Sequence, residues 1–375
     1  MLRVSNLIRA SIEGGKERVL DGAIAIWNLT NRCNLSCLHC YSKATLESED
    51  ALDTEEIFKT MSDMAQSGIK FIIFSGGEPL TRHDIFDIAA RARELGIITY
   101  LSTNGLYVHK SNVEKIVAAF DYIGVSIDGR EETHDHFRGL KGSFKLSMEA
   151  IKLLLLHSNR VGIRFTLTTQ TLDDLPFIFE LAETLNIPKV YISHLVYSGR
   201  GLENRAMDLS VEQRIEAVKF VLSKAFDYYE TNKAIEVVTG NMEMDAIALY
   251  EEFSHRYPEH SSNMQDRLLK WGGNSAGRKL VNIDSRGNVK PDPFFPVTLG
   301  SIKEKPFVLI WNDTDNALLT ALRTHPRVLE GKCSGCEYLS ICNGGSRARA
   351  YAVHGTLNGD DPSCYLDQII HEDIA

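Results

Sequence analysis

The stretch Asn31-Arg32-Cys33-Asn34-Leu35-Ser36-Cys37-Leu38-His39-Cys40-Tyr41 decides how this chain is read. It follows an apolar run at residues 23–27 that reads as a strand. The cysteines are spaced four and then three residues apart, which admits three readings. On a helix they would form one buried stripe, because i, i+4 and i+7 share a face. Asn31, Asn34, Ser36 and the preceding strand make a loop the more natural setting. As a zinc site they would lack a fourth local ligand unless His39 served. As cluster ligands, three thiolates hold three irons of a cubane iron–sulfur centre and leave the fourth iron with open positions. Open metal positions are where chemistry occurs, whereas fully ligated sites are usually structural.

Working outward, the remaining cysteines support a metal. All seven fall into two groups, Cys33, Cys37, Cys40 and Cys333, Cys336, Cys342, Cys364, with none between. An odd number fits a complete disulfide framework poorly, and clustered cysteines in a chain with no secretory apolar core at its N-terminus point to metal and to a cytoplasmic setting. Three plus four is itself informative, since the first group leaves a metal position open and the second closes one. The chain has 375 residues, 43% hydrophobic and 24% charged, as in a globular protein. No apolar run of 18 or more residues predicts a membrane span. A formal charge of −9 argues against general nucleic-acid binding, though it leaves room for a local basic pocket.

Apolar runs at 23–27, 71–75, 98–102, 122–127, 161–167 and 190–195 read as strands buried on both faces. Amphipathic segments at 54–67, 85–95, 111–119, 143–155 and 174–185 read as the intervening helices. This alternation predicts an α/β fold with a parallel barrel or part of one, its active site at the C-terminal strand ends. The first cysteine group leaves the first strand at the right place. A long helix is expected over 210–231, and a hairpin over 278–290 turning at Ser285-Arg286-Gly287-Asn288. Residues 232–271 are polar and yield no clear placement. The last forty residues, rich in cysteine and glycine, are expected to need a metal for their order. Domain limits follow as 1–22, a short N-terminal segment; 23–231, the barrel; and 232–375, a linker and a smaller α+β unit.

The pattern Cys-x3-Cys-x2-Cys, with His39 before the last cysteine and Tyr41 after it, resembles the signature of the radical S-adenosylmethionine (SAM) enzymes. That resemblance implies a partial (β/α)6 TIM-like barrel and a 4Fe–4S cluster whose open iron takes the amino and carboxylate groups of SAM. Ser75-Gly76-Gly77-Glu78-Pro79 looks like the family motif that holds the SAM amino group; by itself it would read as a strand-ending turn. Its glycines let backbone approach, and Glu78 can accept from an ammonium. The resemblance likewise implies SAM contacts for Thr103 and Asn104, for Ser126 and Asp128, for Arg164 and for Leu195. Arg164, a charge inside an apolar strand, needs a partner, either the SAM carboxylate or a structural ion pair.

Cys333-x2-Cys336-x5-Cys342-x21-Cys364 resembles the auxiliary-cluster domain called SPASM, or its shortened twitch form. A structural zinc is the plainer reading. Where that domain often carries further cysteines, this chain has Asn274-Ser275-Ala276-Gly277 and Pro291-Asp292. One auxiliary 4Fe–4S cluster is the consistent count, with Asp292 as an alternative ligand. Nearly the whole chain, including 191–201, 342–350 and 361–365, resembles the tetrapyrrole-modifying branch, closest to the haem d1 biosynthesis radical SAM family. The implied reaction removes or trims propionates of an iron tetrapyrrole such as 12,18-didecarboxysiroheme through a 5′-deoxyadenosyl radical, using a low-potential electron donor such as flavodoxin or ferredoxin. Arg200, Arg347 and Arg349 are the candidate cations for the substrate carboxylates; ordinary ion pairing is their plainer role. Three rival readings stand beside this one: a decarboxylase of the siroheme-dependent haem pathway, a SPASM peptide maturase, and a non-catalytic iron–sulfur scaffold.

Overall fold

Ala23–Thr30 forms β1, and everything that positions the site is built around it. A computed structural model describes residues 1–15 and 22–367. In chain order the further strands are β2 (Ile69–Gly76), β3 (Ile98–Thr103), β4 (Tyr122–Ser126), β5 (Val161–Leu167), β6 (Lys189–His194), β7 (Glu236–Gly240), β8 (Leu280–Ile283), β9 (Asn288–Lys290) and β10 (Gly300–Ser301). Among the described residues these ten form one sheet, in the order β10-β9-β8-β1-β2-β3-β4-β5-β6-β7. From β8 through β7 every neighbouring pair is parallel. The sheet ends at β10 and β7 without joining them, so it is an open, partial barrel. Phe71, Ile72, Ile73 and Phe74 follow one another along β2 and all are buried, so both faces are covered and the runs read as continuously apolar.

Helices alternate with the strands and cover the outer face. Thr54–Gln66 begins at a capping box in which Asp53 accepts from the Glu56 amide and Glu56 accepts from the Asp53 amide. Val211–Glu230 begins likewise with Ser210 and Gln213. Ile85–Glu94, Val113–Ala119, Ser143–His157 and Leu175–Thr184 complete the expected set.

Several elements were not legible beforehand. The sheet runs past residue 231: β7 extends it beyond β6, and β8 returns to pair with β1 on the other side. The segment without a placement supplies β7 and the helices Asp245–Arg256 and Ser261–Trp271. Glu131–Arg138 is helical although only His134, Phe137 and Arg138 are buried along it. The hairpin of β8 and β9 forms as expected, with Ile283 opposite Val289, but it extends the barrel sheet and does not stand apart.

Candidate active site

The three cysteines leave β1 on a loop with no helix, so the buried-stripe reading fails. The loop is held by its backbone. Cys33 N donates to Thr45 O at 2.9 Å, Ser36 N to Arg138 O at 3.2 Å and Leu38 N to Phe137 O at 3.0 Å. The end of β2 clamps it from another side, with Gly77 N on Thr30 O and Glu78 N on Arg32 O, both at 2.8 Å. A Cβ on Gly77 would overlap the Arg32 carbonyl, and one on Gly199 the carbonyls of Cys40 and Tyr41. Glycine is required at both places because loop and clamp meet backbone to backbone.

Cys33, Cys37 and Cys40 border one cavity of about 250 Å³ at the C-terminal ends of the strands. Burial pushes the Cys33 thiol up to about 12 and raises Cys37 as well. Cys33, Cys37 and Cys40 are free thiols at one cavity, and bound iron would displace their protons. The donor set therefore fits a cluster.

The structure sorts the expected SAM contacts into two sets. Tyr41, Gly76, Gly77, Thr103 and Asn104 line the cavity, as do Ser126, Arg164 and Leu195. Glu78, Pro79 and Asp128 do not; they lie behind it. Glu78, 1% exposed, accepts from Thr103 Oγ1 and the Asn104 amide at 2.8 Å and from the Leu80 amide at 3.1 Å, which ties the end of β2 to the end of β3. Asp128 is fully buried against Arg138. Tyr41 donates to Asn28 Oδ1 at 3.0 Å and meets Phe294 edge-on. Arg164 has no ion-pair partner among the described residues; its guanidinium lies 4.7 Å from the centre of the Tyr191 ring, beside the cavity.

Burial lifts Glu78 to about 7, against its three hydrogen bonds. Between its ordinary value near 4.5 and 7, the folded chain keeps a proton that the unfolded chain has released. This group's contribution to stability therefore falls as pH rises through that window. Glu78→Gln should flatten the dependence of Tm on pH between about 5 and 7. It should also lower Tm throughout, because an amide nitrogen cannot accept from the Asn104 amide. Thermal unfolding across that range checks both parts; a dependence as steep as wild type would assign the titration elsewhere.

The three candidate substrate cations separate. Arg200 borders the cavity. Its Nε donates to Cys37 O at 2.7 Å and its Nη1 to Ala44 O at 3.2 Å, while Nη2 is buried without a partner. Arg347 and Arg349 are fully buried and do not line the cavity. Arg347 donates to the carbonyls of Gly344, Leu357 and Gly359. Arg349 is paired with Asp361 at 2.7 and 2.8 Å and donates to Leu195 O at 3.0 Å. These donors are spent inside the fold, which corrects the expectation that the two reach the substrate.

Arg138, Asn241 and Glu243 were not anticipated at the cavity. Arg138 closes a charged helix that carried no apolar period. His39 stacks flat on Phe137 at 4.5 Å and is kept neutral by burial and by Arg138 and Arg200. Glu243 and Asn241 come from the segment after β7. Asp292 lines the far wall, where burial raises it to about 6; its charged neighbours are Glu243 and Arg327, not a cysteine. A cation at the end of an acidic helix leaving a barrel strand is the one signal that would have found Arg138.

The second cysteine group lies in the turn Gly331–Gly335, the one-turn helix Leu339–Cys342 and the segment that carries Cys364. Cys342 is buried and accepts from the Gly344 amide at 3.2 Å. Burial raises the thiols of Cys333, Cys342 and Cys364, and neighbouring cysteines raise them further. No helix among the described residues is long and apolar enough to cross a membrane.

The family profile described as the Radical SAM superfamily matches residues 27–182, from the last half of β1 into the helix before β6. Pre-heme d1 synthase of Dinoroseobacter shibae is 36% identical over 374 residues, spanning 98% of this chain and 92% of that protein. Fe-coproporphyrin III synthase of Methanosarcina barkeri is 37% identical over 349 residues, 92% of this chain and 88% of that protein. In fold, the chain superposes on S-adenosylmethionine-bound SuiB of Streptococcus suis with a TM-score of 0.68 at 18% identity, covering 92% of this chain and 77% of that one. Relatives that match nearly end to end, joined to three thiols at the mouth of an open parallel barrel, settle the family: the chain belongs to the radical SAM superfamily, whose members carry a 4Fe–4S cluster and SAM.

Proposed function

We propose that the chain acts on the propionate side chains of an iron tetrapyrrole of the 12,18-didecarboxysiroheme type, removing or trimming them as a step toward haem d1. The observation that carries this reading is the cavity itself. It joins the three thiols to two cations with unspent donors, Arg164 and the Arg200 Nη2. Guanidinium donors suit carboxylates, bidentate at Arg164 and through Nη2 alone at Arg200, so these two suit the SAM carboxylate and a propionate in one chamber. Aromatic walls at Tyr41, Phe165, Tyr191 and Phe294 suit a flat macrocycle. The names of the relatives, a pre-heme d1 synthase and an Fe-coproporphyrin III synthase, favour a tetrapyrrole over a peptide.

When bound, the cluster supplies the electron that cleaves SAM reductively. The chain's part is positional. Gly76 and Gly77 bring backbone to the cavity edge, and Arg164 and Arg200 orient carboxylates. In this proposal Cys333, Cys336, Cys342 and Cys364 hold one auxiliary 4Fe–4S cluster that accepts the excess electron or helps seat the substrate. A flavodoxin or ferredoxin in the cytoplasm supplies the first electron, a compartment that suits seven unpaired thiols.

The test is anaerobic turnover of reconstituted protein with SAM, reductant and didecarboxysiroheme, followed by mass analysis of the tetrapyrrole. Loss of side-chain mass together with 5′-deoxyadenosine is the expected result. SAM cleavage with an unchanged tetrapyrrole, and no shifted absorption spectrum at micromolar protein, would overturn the substrate assignment.

A further inference from the structure

Arg138 is 8% exposed, borders the cavity and donates from Nη1 to Cys37 Sγ at 3.7 Å. Its Nε donates to Asp128 Oδ2 at 2.5 Å, and Nη2 meets the same oxygen. The other oxygen of Asp128 accepts from the Thr166 amide at 2.8 Å, so the carboxylate is anchored to β5. The guanidinium cannot leave the sulfur without breaking that pair. The thiol is fixed from the other direction, because the last carbonyls of the same helix, those of Phe137 and Arg138, accept from Leu38 and Ser36 on either side of Cys37. One helix therefore sets both the cation and the cysteine.

A metal-bound thiolate retains acceptor lone pairs. A charged donor on it favours the state of the cluster with more negative charge, and a dry site weakens that attraction little. Hydrogen bonds to sulfur are among the terms that place cluster potentials within their wide range. We propose that Arg138 tunes the reduction potential of the cluster held by Cys37, drawing it to a less negative value, and that Asp128 offsets part of that pull. The proposal rests on family membership and the local geometry, not on the tetrapyrrole.

The test is a redox titration followed by electron paramagnetic resonance on the reconstituted chain, the first cluster being identified as the signal that changes on adding SAM. In Arg138→Gln the midpoint of that signal should move to more negative potential at wild-type iron content. In Asp128→Asn it should move the opposite way, because the guanidinium loses its counter-charge. A purely structural role for the pair would lower thermal stability in both variants without opposed shifts. If Arg138→Gln fails to retain iron, Asp128→Asn decides alone. An unmoved midpoint there, or shifts of the same sign in both variants, overturns the assignment.

Discussion

Replacing any one of Cys33, Cys37 and Cys40 with Ala is expected to abolish SAM cleavage and to lower iron from about eight to about four atoms per reconstituted chain. The fold should survive. The loop is held by backbone bonds to Thr45, Phe137, Arg138 and the end of β2, and none of these uses a thiol. Far-UV circular dichroism and the thermal transition should therefore stay near wild type while iron and acid-labile sulfide fall. Iron analysis giving about four atoms in the unaltered chain would remove the auxiliary cluster from the proposal. Retention of about eight in the variants would remove these cysteines from the first.

Breaking the Arg349–Asp361 pair is expected to be the most destabilising single change outside the cysteines. Both side chains are essentially inaccessible, at 0% and 1%. Arg349→Ala leaves Asp361 as an uncompensated buried charge, and Asp361→Ala does the same to Arg349. Losses of about 3–5 kcal/mol are typical for such a break. Asp361 also accepts from the amides of Ser346 and Ser363, so its removal orphans two further donors. Denaturant midpoints of the metal-loaded protein measure the effect. A variant with an unchanged midpoint and a raised KM would instead return Arg349 to the substrate.

The sequence was legible where one signal dominated. Strands buried on both faces announced themselves as apolar runs, and β1 through β6 lie where those runs do. The polar residues around the cysteines and the strand before them pointed to one loop, and Gly77 after β2 is needed there for close approach. Short or polar elements escaped. β7 carries only Val237 and Val238 as apolar residues, and β8 joins the barrel through a parallel partner some 250 residues away, which no local pattern encodes. The helix Glu131–Arg138 is almost wholly charged or polar, so periodicity could not find it, although it carries the cation that donates to the Cys37 sulfur. Arg347 and Arg349 show the converse error. A run of arginines near a cysteine motif suggested carboxylate binding, but whether a guanidinium is free depends on what folds around it, here Asp361 and a set of carbonyls.

The pairing of β8 with β1 has a mechanical meaning. Asn274, just ahead of β8, donates its amide to Cys342 O at 3.2 Å while its side chain borders the cavity and donates to Glu243 at 3.0 Å. The two cysteine groups are thus joined by a short route of chain and hydrogen bonds: the loop continues β1, β1 pairs with β8, and Asn274, six residues ahead of β8, bonds to Cys342. A hinge between them would have to peel one parallel strand from another. The separation of the two cysteine groups is consequently a constant of the scaffold, set when the sheet forms.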